Sequence, residues 1–166
     1  MLVNARSLTN DTIDNLINIL FKEEDVDVCC ITETWLRPDD QAVIADIRLR
    51  GYDIISSPRK CRKGGGLAFL CKNLYRFKQA QTNTYTLFEL LEVAFNCKST
   101  KVTFSTIYRT GYLNMQQRPQ FLTELNDYLE SLIFKEGINI IWGDFNIINI
   151  LFIFYVFLSL PMGLHC

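Results

Sequence analysis

With 166 residues and 49% hydrophobic content, the chain can bury one real core, so a single domain is expected. Its formal net charge of −1 excludes a generally basic nucleic-acid coat and leaves polyanion contact to a local patch. Six scattered cysteines without a CxxC pair, and a lone histidine beside the C-terminus, speak against a disulfide framework or a thiolate–imidazole metal centre; reduced, buried thiols in an intracellular protein, nuclear or cytoplasmic, are expected instead.

The chain opens on Leu2-Val3, a strand end followed by Asn4. Thr9 and Asn10-Asp11 offer N-caps for a helix over 10–22, in which Ile13, Leu16, Ile17, Leu20 and Phe21 fall on one apolar face. A buried strand over 26–32 follows, ending at Glu33. Pro38-Asp39-Asp40 marks a turn and a short helix to about Ile47, and 51–56 reads as a strand. The segment 58–66 is a basic, glycine-rich loop carrying Arg59, Lys60, Arg62 and Lys63, and it runs into a strand over 67–71. Segments 88–95 and 101–108 flank the turn 96–99 as an antiparallel hairpin. An amphipathic helix spans 119–134, with Pro119 in its first turn and Gly137 closing it. The apolar run 138–142 then leads into Gly143-Asp144-Phe145-Asn146. Strand alternation sends Asp144 and Asn146 to one side and Phe145 to the core. The order mixes βα units with hairpins, which a mixed β-sandwich covered by helices would satisfy.

Four strand ends thus carry polar side chains: Asn4, Glu33, Tyr108 and the Asp144/Asn146 pair. A carboxylate at the end of a buried strand, such as Glu33, has to be solvated, paired or metal-bound. Taken singly, Asn4, Tyr108-Arg109 and Asp144/Asn146 suit turns and rims as well as a site. The basic loop lacks the GxxxxGK[ST] arrangement of a P-loop; it is either a solvated hairpin tip or a contact to a nucleic-acid backbone.

In order, Asn4-Ala5-Arg6-Ser7-Leu8, Thr32-Glu33-Thr34-Trp35-Leu36, Lys63-Gly64-Gly65-Gly66-Leu67-Ala68, Ile107-Tyr108-Arg109 and Gly143-Asp144-Phe145-Asn146 resemble the endonuclease/exonuclease/phosphatase superfamily. Within it they look like the apurinic-like endonuclease domain of non-LTR (LINE-type) retrotransposons. The resemblance implies an α/β (α+β) fold, a four-layer α/β/β/α sandwich with two mixed β-sheets. It implies Mg²⁺-dependent (Mn²⁺ as an alternative) phosphodiester cleavage of DNA, with a reverse transcriptase domain in the parent element. By the same resemblance Glu33 binds the metal with Asn4 nearby. Asp144 orients or deprotonates the attacking water, Asn146 helps to hold the scissile phosphate, and Tyr108 donates to a phosphate oxygen. Arg109 assists by charge.

The resemblance covers 1–146, read as a partial domain whose C-terminal strands are missing. No later aspartate and no Ser-Asp-His motif follow Asn146, and His165 lacks that context. Residues 145–166 contain no Asp, Glu, Lys or Arg, a length and polarity sufficient for a membrane span. The segment 147–166 is read as an uncharged apolar tail foreign to the domain, with a C-terminal membrane anchor as the alternative. The expectation is a catalytically impaired endonuclease, set against a non-catalytic DNA-binding remnant, a tail-anchored membrane protein, or a phosphatase for a small phosphorylated substrate.

Overall fold

The structure, a computed structural model, describes residues 1–59, 64–111, 113–146 and 153–159, with 79–84 and 153–159 as backbone. Two mixed sheets organise the described chain. The first has the order β1-β2-β4-β3, built from β1 Leu2–Asn4, β2 Val28–Thr32, β4 Leu67–Lys72 and β3 Tyr52–Ser57. Strand β1 runs parallel to β2, and the other neighbours are antiparallel. The second has the order β5-β6-β7-β8-β9: β5 Lys78–Thr84, β6 Phe88–Cys97, β7 Thr100–Arg109, β8 Gly137–Asp144 and β9 Ile153–Ser159. Here β7 and β8 are the parallel pair.

Strand alternation sorts the core into three slabs. Cys29 and Ile31 of β2, with Ala68 and Leu70 of β4, face Ile13, Leu16, Ile17, Leu20 and Phe21 of the first helix and Ile47 of α2 (Gln41–Leu49). Their neighbours Cys30, Leu67, Phe69 and Cys71 point the other way and meet Leu91, Val93, Val102 and Phe104 of the second sheet. The far face of that sheet, with Leu90, Ile107 and Ile141, packs on Phe121, Tyr128 and Leu132 of α3 (Gln117–Ile133). The expected four-layer α/β/β/α sandwich with two mixed sheets is what these slabs build.

Several elements differ from expectation. The first helix begins as α1, Asn10–Asn15, capped by Thr9, and continues as a π-helical segment over Leu16–Glu23, where Glu24 N–H donates to Ile19 O, five residues back (3.0 Å). The wider turn buries Leu16, Ile17, Leu20 and Phe21 together and leaves Ile19 outside. Gly137 starts β8 rather than closing α3. Its φ is +102°, and a β-carbon there would stand 2.2 Å from Lys101 O, so only glycine lets β8 lie against β7 at this point. Strand β5 has a polar sequence, KQAQTNT, which hides it from pattern reading. Strand β9 lies in the apolar C-terminal segment and pairs antiparallel with β8, from Gly143↔Ile153 to Gly137↔Ser159. Among the described residues no helix is long and apolar enough to cross a membrane.

Cys29 and Cys71 are free, buried thiols whose pKa burial pushes up to about 12. Burial moves Cys30 in the same direction. Thiols held protonated in this way are inert as ligands or nucleophiles.

Candidate active site

The two parallel strand pairs, one from each sheet, end at the same mouth. In β1 and β2 the residues facing the second sheet are Leu2 and Cys30, so alternation puts Asn4 and Thr32 on that face at the strand ends. Across the gap, Phe104 and Trp142 set the phase that brings Tyr108 and Asp144 to the facing side. Four polar side chains therefore meet where the inter-sheet core ends.

Glu33 follows β2 and would point to the helix side if the strand continued. Instead its φ is +54°, a left-handed conformation uncommon for non-glycine residues, and its carboxylate lies at the mouth. Asn4 Nδ2 donates both to Glu33 Oε1 (2.9 Å) and to Asp144 Oδ2 (2.8 Å). The Tyr108 hydroxyl donates to Glu33 Oε1 (3.1 Å), and Thr32 Oγ1 donates to Asp144 Oδ2 (3.5 Å). Arg6 N–H donates to Asn4 Oδ1 (3.2 Å), which fixes the orientation of the amide. Burial, and after it the Glu33 carboxylate, push the Tyr108 phenol well above its usual pKa, so it remains a hydroxyl donor at neutral pH.

Strand β8 ends at Asp144, so Asn146 does not continue the alternation. Its φ is +47°, its N–H donates to Asp144 Oδ1 (3.3 Å), and its amide donates to Arg109 O (2.6 Å). Arg109 is buried: its guanidinium donates to the carbonyls of Phe145 and Asn146 and sits 5.3 Å over the Phe121 ring. It braces the turn after β8 and does not present a charge to the surface. Gly143 belongs to the same brace, since a β-carbon there would strike the Phe145 ring at 2.3 Å.

Asn4, Glu33, Tyr108 and Asp144 are thus assembled at one mouth, with Asn146 bound to Asp144 beside them. Arg59 lies further off on the glycine-rich arm; Lys60, Arg62 and Lys63 lie outside the described residues. Glu89 is a participant that the sequence did not single out. It accepts from Gly66 N–H (2.8 Å) through Oε2 and pairs with Arg59 through Oε1 (3.1 Å), tying the arm to β6 in register with Tyr108. Burial raises its pKa, against the pull of Gly66 N–H and Arg59. Between Phe88 and Leu90 it reads as an ordinary polar strand position, and no sequence signal sets it apart.

Glu33 Oε2 accepts no hydrogen bond among the described residues, and two carboxylates share one amide donor. That donor set fits a hard divalent cation, which needs one or two carboxylates and fills its shell with water and substrate oxygens. No cluster of three or more His, Cys, Asp or Glu among the described residues could hold a metal by itself. A cavity of about 280 Å³ lies at the opposite end of the second sheet, among Arg76, Lys78, Ala94, Phe95, Asn96 and Lys101, and no residue of the mouth lines it.

A sequence profile described as the endonuclease/exonuclease/phosphatase family matches residues 1–160. No curated protein sequence matches the chain. Among solved structures it is similar to a truncated TDP2 from Caenorhabditis elegans, at TM-score 0.59 and 17% identity over 87% of this chain and 60% of that one. It is similar to an AP endonuclease from Archaeoglobus fulgidus, at TM-score 0.59 and 17% identity over 88% and 56%. It is also similar to a mannosyl-6-phosphatase from Bacteroides thetaiotaomicron, at TM-score 0.58 and 14% identity over 88% and 64%. At these identities the likeness is one of fold, and the chain spans about three fifths of the solved chains.

Proposed function

The chain belongs to the endonuclease/exonuclease/phosphatase family, and on that premise we propose that its site is built for phosphodiester hydrolysis in DNA, as the endonuclease domain of a LINE-type retrotransposon whose parent element carries a reverse transcriptase. The observation that carries the reading is the single Asn4 amide shared by Glu33 and Asp144, with Tyr108 on Glu33, at the open end of the inter-sheet core. Mg²⁺, or Mn²⁺ in its place, held by Glu33 with Asn4 beside it, would neutralise charge on the phosphate oxygens. Asp144 orients the attacking water and takes its proton. Thr32 and the Asn146 N–H, both donating to Asp144, keep that carboxylate aimed. Tyr108, kept protonated by burial and by Glu33, turns its hydroxyl from Glu33 to the phosphate oxygen on which charge builds. Asn146 contributes its amide to the phosphate, positioned by Arg109. The motif wording from Asn4 to Asn146 supports the retrotransposon assignment over a sugar phosphatase.

No Ser-Asp-His motif follows Asn146 within the 166 residues, so the chain by itself is proposed to be slow. Nicking of supercoiled plasmid tests the reading. Mg²⁺-dependent nicking, abolished by EDTA and by both Glu33→Ala and Asp144→Ala, is the expected result. Nicking that survives either substitution would overturn the assignment of that residue. Release of phosphate from a phosphomonoester, with no nicking, would replace the endonuclease reading by a phosphatase one.

A further inference from the structure

We propose that Trp35 is a platform on which an unstacked nucleobase next to the scissile phosphate is bound; the inference rests on the nucleic-acid reading above and specifies how that site holds its substrate. In the segment that delivers Glu33, Thr32, Thr34 and Leu36 are buried, whereas Trp35 between them is 50% exposed. An indole left in water forgoes a large apolar burial. It is also held in a costly backbone state: its φ is +54°, the second left-handed residue after Glu33. Regular strand alternation has no place for both residues. Two left-handed steps turn the carboxylate into the mouth and the indole out beside it.

The indole is braced. The backbone N–H of Trp35 donates to Gly65 O (2.9 Å) and that of Thr34 to Gly66 O (3.2 Å), so the glycine arm runs antiparallel to the Trp35 segment. Gly64, Gly65 and Gly66 have φ of +81°, +74° and +84°. A β-carbon on Gly64 would stand 3.5 Å from the indole Nε1, so the arm's backbone lies against the ring edge. Glu89 fixes the arm through Gly66 and Arg59. An exposed aromatic surface is thus held in position two residues from Glu33, against the glycine arm. Base–aromatic stacking needs those parts: an available π-face and little freedom to lose. A phosphorylated sugar offers no aromatic face for such stacking, so the platform favours nucleotides as the substrate class.

Trp35 and Trp142 are the two tryptophans of the chain, and Trp142, partly buried, packs on Phe104 against the inter-sheet core. Trp142→Phe therefore leaves Trp35 as the sole indole reporter. The probe is a mixed-sequence single-stranded oligodeoxynucleotide in EDTA, compared with an abasic strand of equal length, with binding read in parallel from the anisotropy of a labelled strand. The base-bearing strand is expected to quench Trp35 fluorescence and the abasic strand to leave it unchanged. Trp35→Ala and Trp35→Gly are each expected to weaken binding of the base-bearing strand about tenfold, and Trp35→Phe to retain most of it. The glycine variant relieves the backbone conformation, so a loss shared with alanine is not a folding defect. If the strand binds with unchanged fluorescence and equal affinity in Trp35→Ala, the platform is wrong while the nucleic-acid reading stands. If the wild-type protein binds neither strand, both fall.

Discussion

Asn4 donates from one nitrogen to two carboxylates that would otherwise repel each other, Glu33 and Asp144. Asn4→Ala removes both bonds and leaves the pair unscreened. Loss of such a supporting contact typically costs about 10- to 100-fold in metal affinity or activity, and that is the drop expected in the nicking rate. Stability should change by only about 1 kcal/mol, because the lost bonds lie at a part-exposed mouth. Comparing the rate with the urea midpoint checks this. A collapse of stability at unchanged specific activity would make Asn4 a structural residue. Asn4, Glu33, Tyr108 and Asp144 were legible because each is a polar side chain where an apolar run stops. The turn that brings Glu33 into the mouth was not legible, since a left-handed conformation at a glutamate leaves no mark on the sequence. Nor did the sequence show that Arg109 is buried against the turn after β8, because a cation at a strand end looks the same whether it faces water or backbone carbonyls.

At the scale of elements, the glycine arm links β4 to the turn carrying Glu33. Gly51 and Gly66 have similar φ, +89° and +84°, but different surroundings. A β-carbon at Gly51 meets nothing within 4 Å, whereas at Gly66 it would stand 2.6 Å from Thr34 Oγ1. Gly51→Ala should therefore cost only the backbone conformation, about 1 kcal/mol. Gly66→Ala adds a displacement of Thr34 and with it Glu33. Its expected signature is a larger fall in the melting temperature together with lost nicking, which Gly51→Ala keeps. Equal behaviour of the two variants would show that the arm does not position the site. The arm's basic, glycine-rich composition suggested a phosphate contact, but its packing on Thr34 and Trp35 could not be read, because hydrogen bonds between backbones carry no side-chain signal. Strand β5 escaped for a related reason: an edge strand needs no apolar alternation, so KQAQTNT has none.

Across the whole molecule, the helix pattern, the apolar strands and the hairpin could all be read from periodicity, but the strand orders could not. Nothing in β1 says that it pairs with β2 across a helix, or in β8 that it returns beside β7. The family resemblance supplied the four layers and the two mixed sheets, but not the order of strands within them. One consequence of the layering reaches the stability of the whole fold. Cys29 lies in the slab under the first helix and Cys71 in the slab between the sheets, and burial raises both thiols to about 12. In the unfolded chain each ionises near 9.0. The folded pKa is the higher one, so the stabilising contribution is complete below about pH 9 and is lost as pH rises toward about 12. In that window each thiol removes about 1.4 kcal/mol per pH unit. From Cys29 and Cys71 together, urea unfolding under reducing conditions should accordingly lose about 2–3 kcal/mol between about pH 8 and about pH 10, and Cys30, which burial moves the same way, adds to that loss. Cys29→Ala and Cys71→Ala should each flatten that slope, whatever cavity they create at neutral pH, because the slope counts protons and not packing. A wild-type protein equally stable at both pH values would mean that these thiols reach water, and that the slabs are not closed where they sit.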